Sequence, residues 1–219
     1  MQLVSKPGKM GFLLLLTLSH LNMKAQTTTG APAGEYYLRG VTETASGFKL
    51  NNDSTFEFFF SYGALDRFGE GHWSLKNDSV VFTSRPRPEH DFRLVTSGKT
   101  GSKKILIQLK EMNPALQQYV SCKISGGGRV QKRIANQNGH IEFPMQPIDS
   151  IELLFEFCPE KNSVFRISKK GQNKFVFAPE PWLIEVFFHN FQLAVTREGL
   201  AGGHPLSNET NLRYEKSLH

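Results

Sequence analysis

"STFEFFFSYGALDRFGEGHW", residues 54–73, decides the fold class of this chain. In its first half Phe56, Phe58, Phe60 and Tyr62 fall on one face of an extended segment, and Thr55, Glu57, Phe59 and Ser61 on the other. Period-two alternation over eight residues predicts a strand. Phe59 breaks the polar face, so the strand is expected to be buried on both sides or to pack beneath another segment. The second half carries Asp66, Arg67, Glu70 and His72 among Gly63, Gly69 and Gly71. Polar residues and glycines between two strand patterns predict a hairpin connection. Tyr62 and Trp73 are then its inward anchors, and Asp66, Arg67 and Glu70 ride on its tip.

The same pattern repeats outward. Strands are predicted over 35–41, 48–50, 55–62, 72–75, 79–84 and 92–96, with "KNDS" (76–79) as a turn between two of them. "RPRPEH" (85–90) is extended, and "TSGKTGSKK" (96–104) is a polar, Gly-rich break that places a domain boundary near 98–102. Strands resume over 104–110, 119–125, 129–135, 140–143, 151–157, 164–167, 174–177 and 183–195. "ISGGGRV" (124–130) and "ANQNGHIEF" (135–143) are hairpin-like, and Asn138-Gly139 is the strongest type I′ signal. Only "EMNPALQQ" (111–118) has room for a helical turn. The 18 phenylalanines suit half-buried pleated surfaces. The expected class is all-β: a small barrel or curled antiparallel sheet over 34–97, a β-sandwich over 103–197 and a polar tail over 198–219.

The N-terminus predicts export. Lys6 and Lys9 precede the short apolar run "GFLLLLT" (11–17), and the small residue Ala25 marks a cleavage point, giving a signal peptide over 1–25. Met10 is an alternative start, and a buried N-terminal helix is the competing reading of the run. Residues 26–33 read as a flexible leader. The run is too short to span a bilayer, so no membrane span is expected after cleavage. Removing residues 1–25 takes three lysines and no acid, and lowers the formal charge from +6 to about +3. No block of like charges remains, which argues against nucleic acid. The expected location is periplasmic or extracellular. There Cys122 and Cys158 are either a disulfide, closing a loop of about 36 residues, or two buried thiols.

Two resemblances follow from quoted segments. "GEYYLRG" (34–40), "LNNDSTFEFFF" (50–60) and "GEGHW" (69–73) resemble small lipocalin-like barrels of exported bacterial proteins. That likeness implies a barrel with an apolar pocket and carries over no catalytic residue. "YVSCKISGGGRVQKRIANQNGHIEFPMQPIDSIELLFEF" (119–157) resembles the transthyretin-like sandwich of carboxypeptidase regulatory-type domains, which implies a structural or adhesive module.

Candidate chemistry is sparse. Asp66 and Glu70 are the only carboxylate pair considered for glycoside hydrolysis, with His72 as a general base. In "EHD" (89–91) only Glu89 and Asp91 share a strand face, and no second histidine stands at zinc spacing, so no metal is expected. "SGKTGS" (97–102) echoes a phosphate-binding loop, but Arg93 stands where its first glycine belongs. No cofactor is expected. "PWLIEVFFHNFQLAV" (181–195) reads as a long core strand placing Phe187 or Phe191 in the sandwich, or as an exposed interaction edge. The expected role is an exported, non-enzymatic binding or cell-envelope accessory protein. Its partner would be a small apolar ligand, a glycan or an envelope protein, with Phe58, Phe60, Tyr62 and Trp73 lining the pocket. The alternatives are a hydrolase using Asp66, Glu70 and His72, and a structural module of an envelope assembly.

Overall fold

The computed structural model describes residues 32–63 and 65–218. The predicted signal peptide and most of the leader therefore lie outside the described residues. The alternating stretch forms β3 (Thr55–Tyr62), bounded as the pattern predicts. Its neighbour β4 runs from Leu65 to Lys76, much longer than the 72–75 segment expected. Tyr62 pairs with Leu65, so residues 63 and 64 alone join the strands, and Gly63 takes the left-handed φ of +58° that such a turn needs. The stretch 61–73 is thus the end of β3, a two-residue turn and most of β4, and its polar residues 66–72 lie on a strand and not on a loop. Gly63 makes the turn, whereas Gly69 and Gly71 lie within β4, where a Cβ on Gly69 would sit 2.7 Å from the Phe188 ring.

The remaining barrel strands are β1 (Gly34–Arg39), β2 (Thr44–Leu50), β5 (Ser79–Thr83), β14 (Phe191–Val195), β15 (Gly199–Gly202) and β16 (Leu212–Lys216). The ring order is β1-β16-β15-β14-β5-β4-β3-β2, a closed barrel of eight antiparallel strands. "KNDS" supplies a hairpin between β4 and β5, with Asn77 and Asp78 at φ +49° and +60°. Both values are positive, as in a type I′ turn.

Between β5 and β14 the chain builds a sandwich. Its strands are β6 (Phe92–Gly98), β7 (Lys104–Leu109), β8 (Val120–Gly126), β9 (Arg129–Ile134), β10 (His140–Pro144), β11 (Ser150–Phe155), β12 (Asn162–Arg166) and β13 (Lys174–Pro179), with the single helical turn α1 (Pro114–Gln117) where one was expected. The two sheets are ordered β10-β7-β13-β6 and β12-β11-β8-β9. They enclose a core that includes Ile107, Ile124, Phe143, Leu153, Phe155 and Phe177. Gly127 and Gly128 form the β8–β9 hairpin at φ +57° and +75°. At Asn138-Gly139 only the glycine has positive φ, and the segment carries the chain from one sheet to the other. The expected type I′ hairpin there is not formed.

The modules are therefore nested, not consecutive. Residues 92–97, expected in the first domain, belong to the sandwich as part of β6, and the supposed tail supplies β15 and β16 of the barrel. The physical reason is closure: five strands from the N-terminal part leave two open edges, and three C-terminal strands complete the ring. The glycines that made 198–203 look like a tail are needed for packing, since a Cβ on Gly202 would lie 2.7 Å from the Leu193 side chain. The apolar segment 181–195 is likewise no single strand. Leu183 ends in the sandwich core, Phe188 and Phe191 pack in the barrel, and only Phe191–Val195 is extended in a sheet.

The two crossings are clamped side by side. The Ser84 amide donates to the Phe188 carbonyl at 2.9 Å, and Asp91 and Glu180 are joined by a backbone bond of 2.9 Å. Because each module closes upon itself, we expect residues 88–184 expressed alone to fold cooperatively. Residues 34–97 alone will remain unfolded. Far-UV circular dichroism with urea titration of the two fragments checks both outcomes.

Candidate functional site

The barrel interior is filled. Phe188 enters from the return crossing and lies against Phe56, Phe58 and Phe48, at centroid distances of 5.0, 5.3 and 5.9 Å. Phe82, Phe191 and Tyr214 complete the packing. Phe58, expected to line a pocket, is a core residue at 2% exposure. Phe60 is half-buried near one barrel mouth, and Trp73 is half-buried, its Nε1 donating to the Asn51 carbonyl at 3.0 Å. Tyr62 is exposed, not an inward anchor. These four residues do not converge on a common cavity among those the described residues form.

Asp66, Glu70 and His72 project from the outer face of β4 into solvent. Four residues along a strand separate Asp66 and Glu70 by about 13 Å between Cα atoms, too far for a glycosidase pair. Arg67, expected on a loop tip, is buried. It points the other way, donating from Nη2 to Glu160 at 2.5 Å and from Nε to the Ile184 carbonyl at 3.4 Å. Asp91 is buried, Glu89 is exposed, and His90 stacks on Phe165 at 4.8 Å. Cys122 and Cys158 are free thiols, so the disulfide alternative is not formed. Burial raises their pKa values to about 12 and about 11, which holds both as neutral core groups.

The outer face of β1–β4 carries what the interior does not. Strand register aligns Glu35, Lys49, Glu57 and Glu70 in one row across four strands. The adjacent row is Tyr37, Gly47, Phe59 and Phe68. Gly47 leaves a notch, and the Phe59 ring leans over it, 2.7 Å from where a Cβ would stand. Tyr37 and Phe59 are 5.9 Å apart between centroids, and the Tyr37 hydroxyl donates to Glu35 at 2.7 Å. Phe59 and Phe68 keep 38% and 42% exposure, unusual for phenylalanines on a sheet face. The rows border a groove of about 430 Å³. Phe59, the residue that breaks the polar face of β3, was the sequence signal for this surface. Phe68 and Tyr37 join it only through register.

A serine–histidine pair lies inside the barrel mouth. His204 Nδ1 accepts from the Leu206 amide at 3.2 Å, so the ring proton resides on Nε2. Nε2 then donates to Ser46 Oγ at 3.1 Å, and Ser46 donates onward to the Phe59 carbonyl at 3.1 Å. A histidine donating to the serine cannot take its proton, so the pair is a structural relay and not a catalytic dyad. Desolvation pushes the His204 pKa down to about 4. No spacing rule links positions 46 and 204, and sequence reading missed them.

Where barrel and insert meet, four charged side chains are buried, Arg67, Asp91, Lys161 and Glu185. Arg67 pairs with Glu160 at 2.5 Å and Arg85 with Glu185 at 2.6 Å. Asp91 faces Arg87 at 2.7 Å and Lys161 at 3.7 Å. Among the described residues no helix is long and apolar enough to cross a membrane. Compared with protein-family models, curated proteins and solved structures, the chain finds no match in any of the three.

The histidine relay predicts acid sensitivity. The folded pKa near 4 lies below the ordinary 6.5, so the unfolded chain binds a proton that the folded chain refuses. This contribution is complete above pH 6.5 and is lost as pH falls through 4. Urea unfolding of the intact chain should show a loss of about 2–3 kcal/mol over that window relative to His204→Gln.

Proposed function

We propose that this chain is an exported, non-enzymatic binding protein and that the outer face of β1–β4 is its glycan platform. The observation that carries the reading is the registered pair of rows, aromatic beside acidic, on an exposed sheet. Aromatic rings offer flat apolar area to the C–H faces of sugar rings. The carboxylates beside them accept hydroxyl hydrogen bonds without needing a tuned pKa. A rigid sheet suits such a surface, because the ligand orders nothing on binding.

The filled barrel favours this face over an internal carrier site. The lipocalin-like and transthyretin-like resemblances favour the same class, since neither brings catalytic residues. The export signal pattern of residues 1–25 supports a role in the cell envelope or beyond it. Hydrolysis is the weaker reading: Glu57 and Glu70 are cross-strand neighbours, but both are exposed, without the burial that prepares a catalytic acid.

The intact chain, produced with its own N-terminus, is expected in the periplasmic fraction with Gln26 first. In affinity electrophoresis against a panel of cell-surface and plant polysaccharides it should be retarded by at least one. Phe68→Ala should reduce the retardation roughly tenfold in affinity without altering the circular dichroism spectrum. Unchanged mobility across the panel, or equal retardation of Phe68→Ala, would overturn the reading.

A further inference from the structure

The cleft between barrel and insert lies apart from the platform and is built by four separate segments. Arg87 comes from the outgoing crossing, Pro159, Glu160 and Lys161 from the turn before β12, and Val186 and Phe187 from the return crossing. Pro205 to Asn208, from the loop between β15 and β16, close the fourth side. The cleft, open to solvent on one side, has a volume of about 360 Å³. Junctions between modules are common places for small-molecule sites, and this volume is within their usual range.

The charges around the cleft do not balance. Arg67 has Glu160 and Arg85 has Glu185, one anion for each cation. Arg87 and Lys161 share the single carboxylate of Asp91. One positive charge is left over, and it belongs to the two cations that line the cleft.

Lys161 shows the deficit at atomic level. The residue is only 4% exposed. Its ammonium has three donors but one acceptor at hydrogen-bond distance, the Trp182 carbonyl at 3.1 Å. Asp91 is too far at 3.7 Å to be a second, and Asp91 Oδ1 itself has no hydrogen bond. The Phe187 ring lies 4.9 Å from Nζ and offers only its π face. A buried ammonium so placed is incompletely satisfied. Desolvation lowers its pKa, as expected for a charge short of partners.

We propose that this cleft binds a small organic monoanion, a carboxylate with an apolar body, whose charged end sits between Lys161 and Arg87. The single excess charge selects a monoanion over a phosphate dianion. Pro159, Val186, Phe187, Pro205 and Leu206 supply the apolar walls, which a bare inorganic anion would leave unused. The carboxylate completes the hydrogen bonding of Lys161 and adds a charged partner to Arg87, whose Nη2 donates to Asp91 at 2.7 Å and whose Nη1 reaches only the Glu160 carbonyl at 3.4 Å.

Isothermal titration of the full chain with octanoate and 4-phenylbutanoate, against octanamide and 4-phenylbutanamide, tests the assignment. At least one carboxylate should bind saturably, and its amide roughly tenfold or more weaker. Arg87→Ala and Lys161→Met should each weaken the carboxylate by a similar factor and leave the amide unchanged. Ser207→Trp, which obstructs the cleft without touching the charges, should abolish both and keeps the test valid if Lys161→Met fails to fold. Equal affinity for acid and amide, binding unaffected by Ser207→Trp, or no saturable binding of either acid at millimolar concentration would overturn the proposal. Polysaccharide retardation by Phe68 is read separately, so failure of one site leaves the other standing.

Discussion

Ser84 is the hinge on which the architecture depends. Its amide donates to the Phe188 carbonyl, its hydroxyl accepts from the Phe188 amide at 3.1 Å and donates to the Glu70 carbonyl at 2.6 Å. One side chain thus ties the end of β5, the middle of β4 and the returning chain. β4 extends past β5, and beyond that point its backbone would be an open edge. The return crossing covers it: the Val186 amide donates to the Phe68 carbonyl at 2.7 Å. The same crossing delivers Phe188 into the barrel. Sealing the wall and filling the interior are therefore a single event, which is why a large insertion at this position leaves the ring intact.

The local parts of this arrangement were legible in the sequence. β3 has the bounds its alternation predicts, "KNDS" and "SGGG" make the turns their residues favour, and α1 is the one helical turn expected. The non-local parts were not. Nothing in "EGLAGG" reports that its glycines lie against Leu193 and the backbone of Tyr214. An apolar run such as 181–195 looks the same whether it is one strand or a crossing that serves two cores, because periodicity does not encode which core each residue enters. The dense polar residues of 66–72 suggested a loop, yet they alternate, with Asp66, Phe68, Glu70 and His72 outward and Arg67, Gly69 and Gly71 inward. The glycines masked that alternation.

The expected pocket of Phe58, Phe60, Tyr62 and Trp73 is not assembled among the described residues, for a related reason. Alternation correctly divided β3 into two faces, and the more aromatic face was assigned to a pocket. In a barrel of this size the richer face is the one that must fill the interior. Phe48, Phe56, Phe58, Phe82 and Phe188 are consumed by packing, and an aromatic in the core has no surface left for a ligand. The informative residue was the exception, Phe59, which burial does not explain. Its exposure, and that of Phe68 beside it, are what support the proposed recognition face on the outside of the wall.

The junction charges obey a different logic. Buried ion pairs add little net stability, because desolvation offsets most of their attraction, but they penalise any arrangement that separates the partners. Arg67 on β4 with Glu160 before β12 ties the barrel to the sandwich, and Arg85 with Glu185 ties the outgoing crossing to the returning one, each with one buried partner. In both pairs one cation meets one anion. Asp91 shared between Arg87 and Lys161 adds a third tie but leaves a cation unmatched. A third tie needs only one cation opposite Asp91, and an apolar residue at position 161 would remove the desolvation cost. Lys161 therefore stands beside the cleft with its charge shared through Asp91 and one hydrogen bond to Trp182, and it is this incomplete set of partners that the proposed anion would complete.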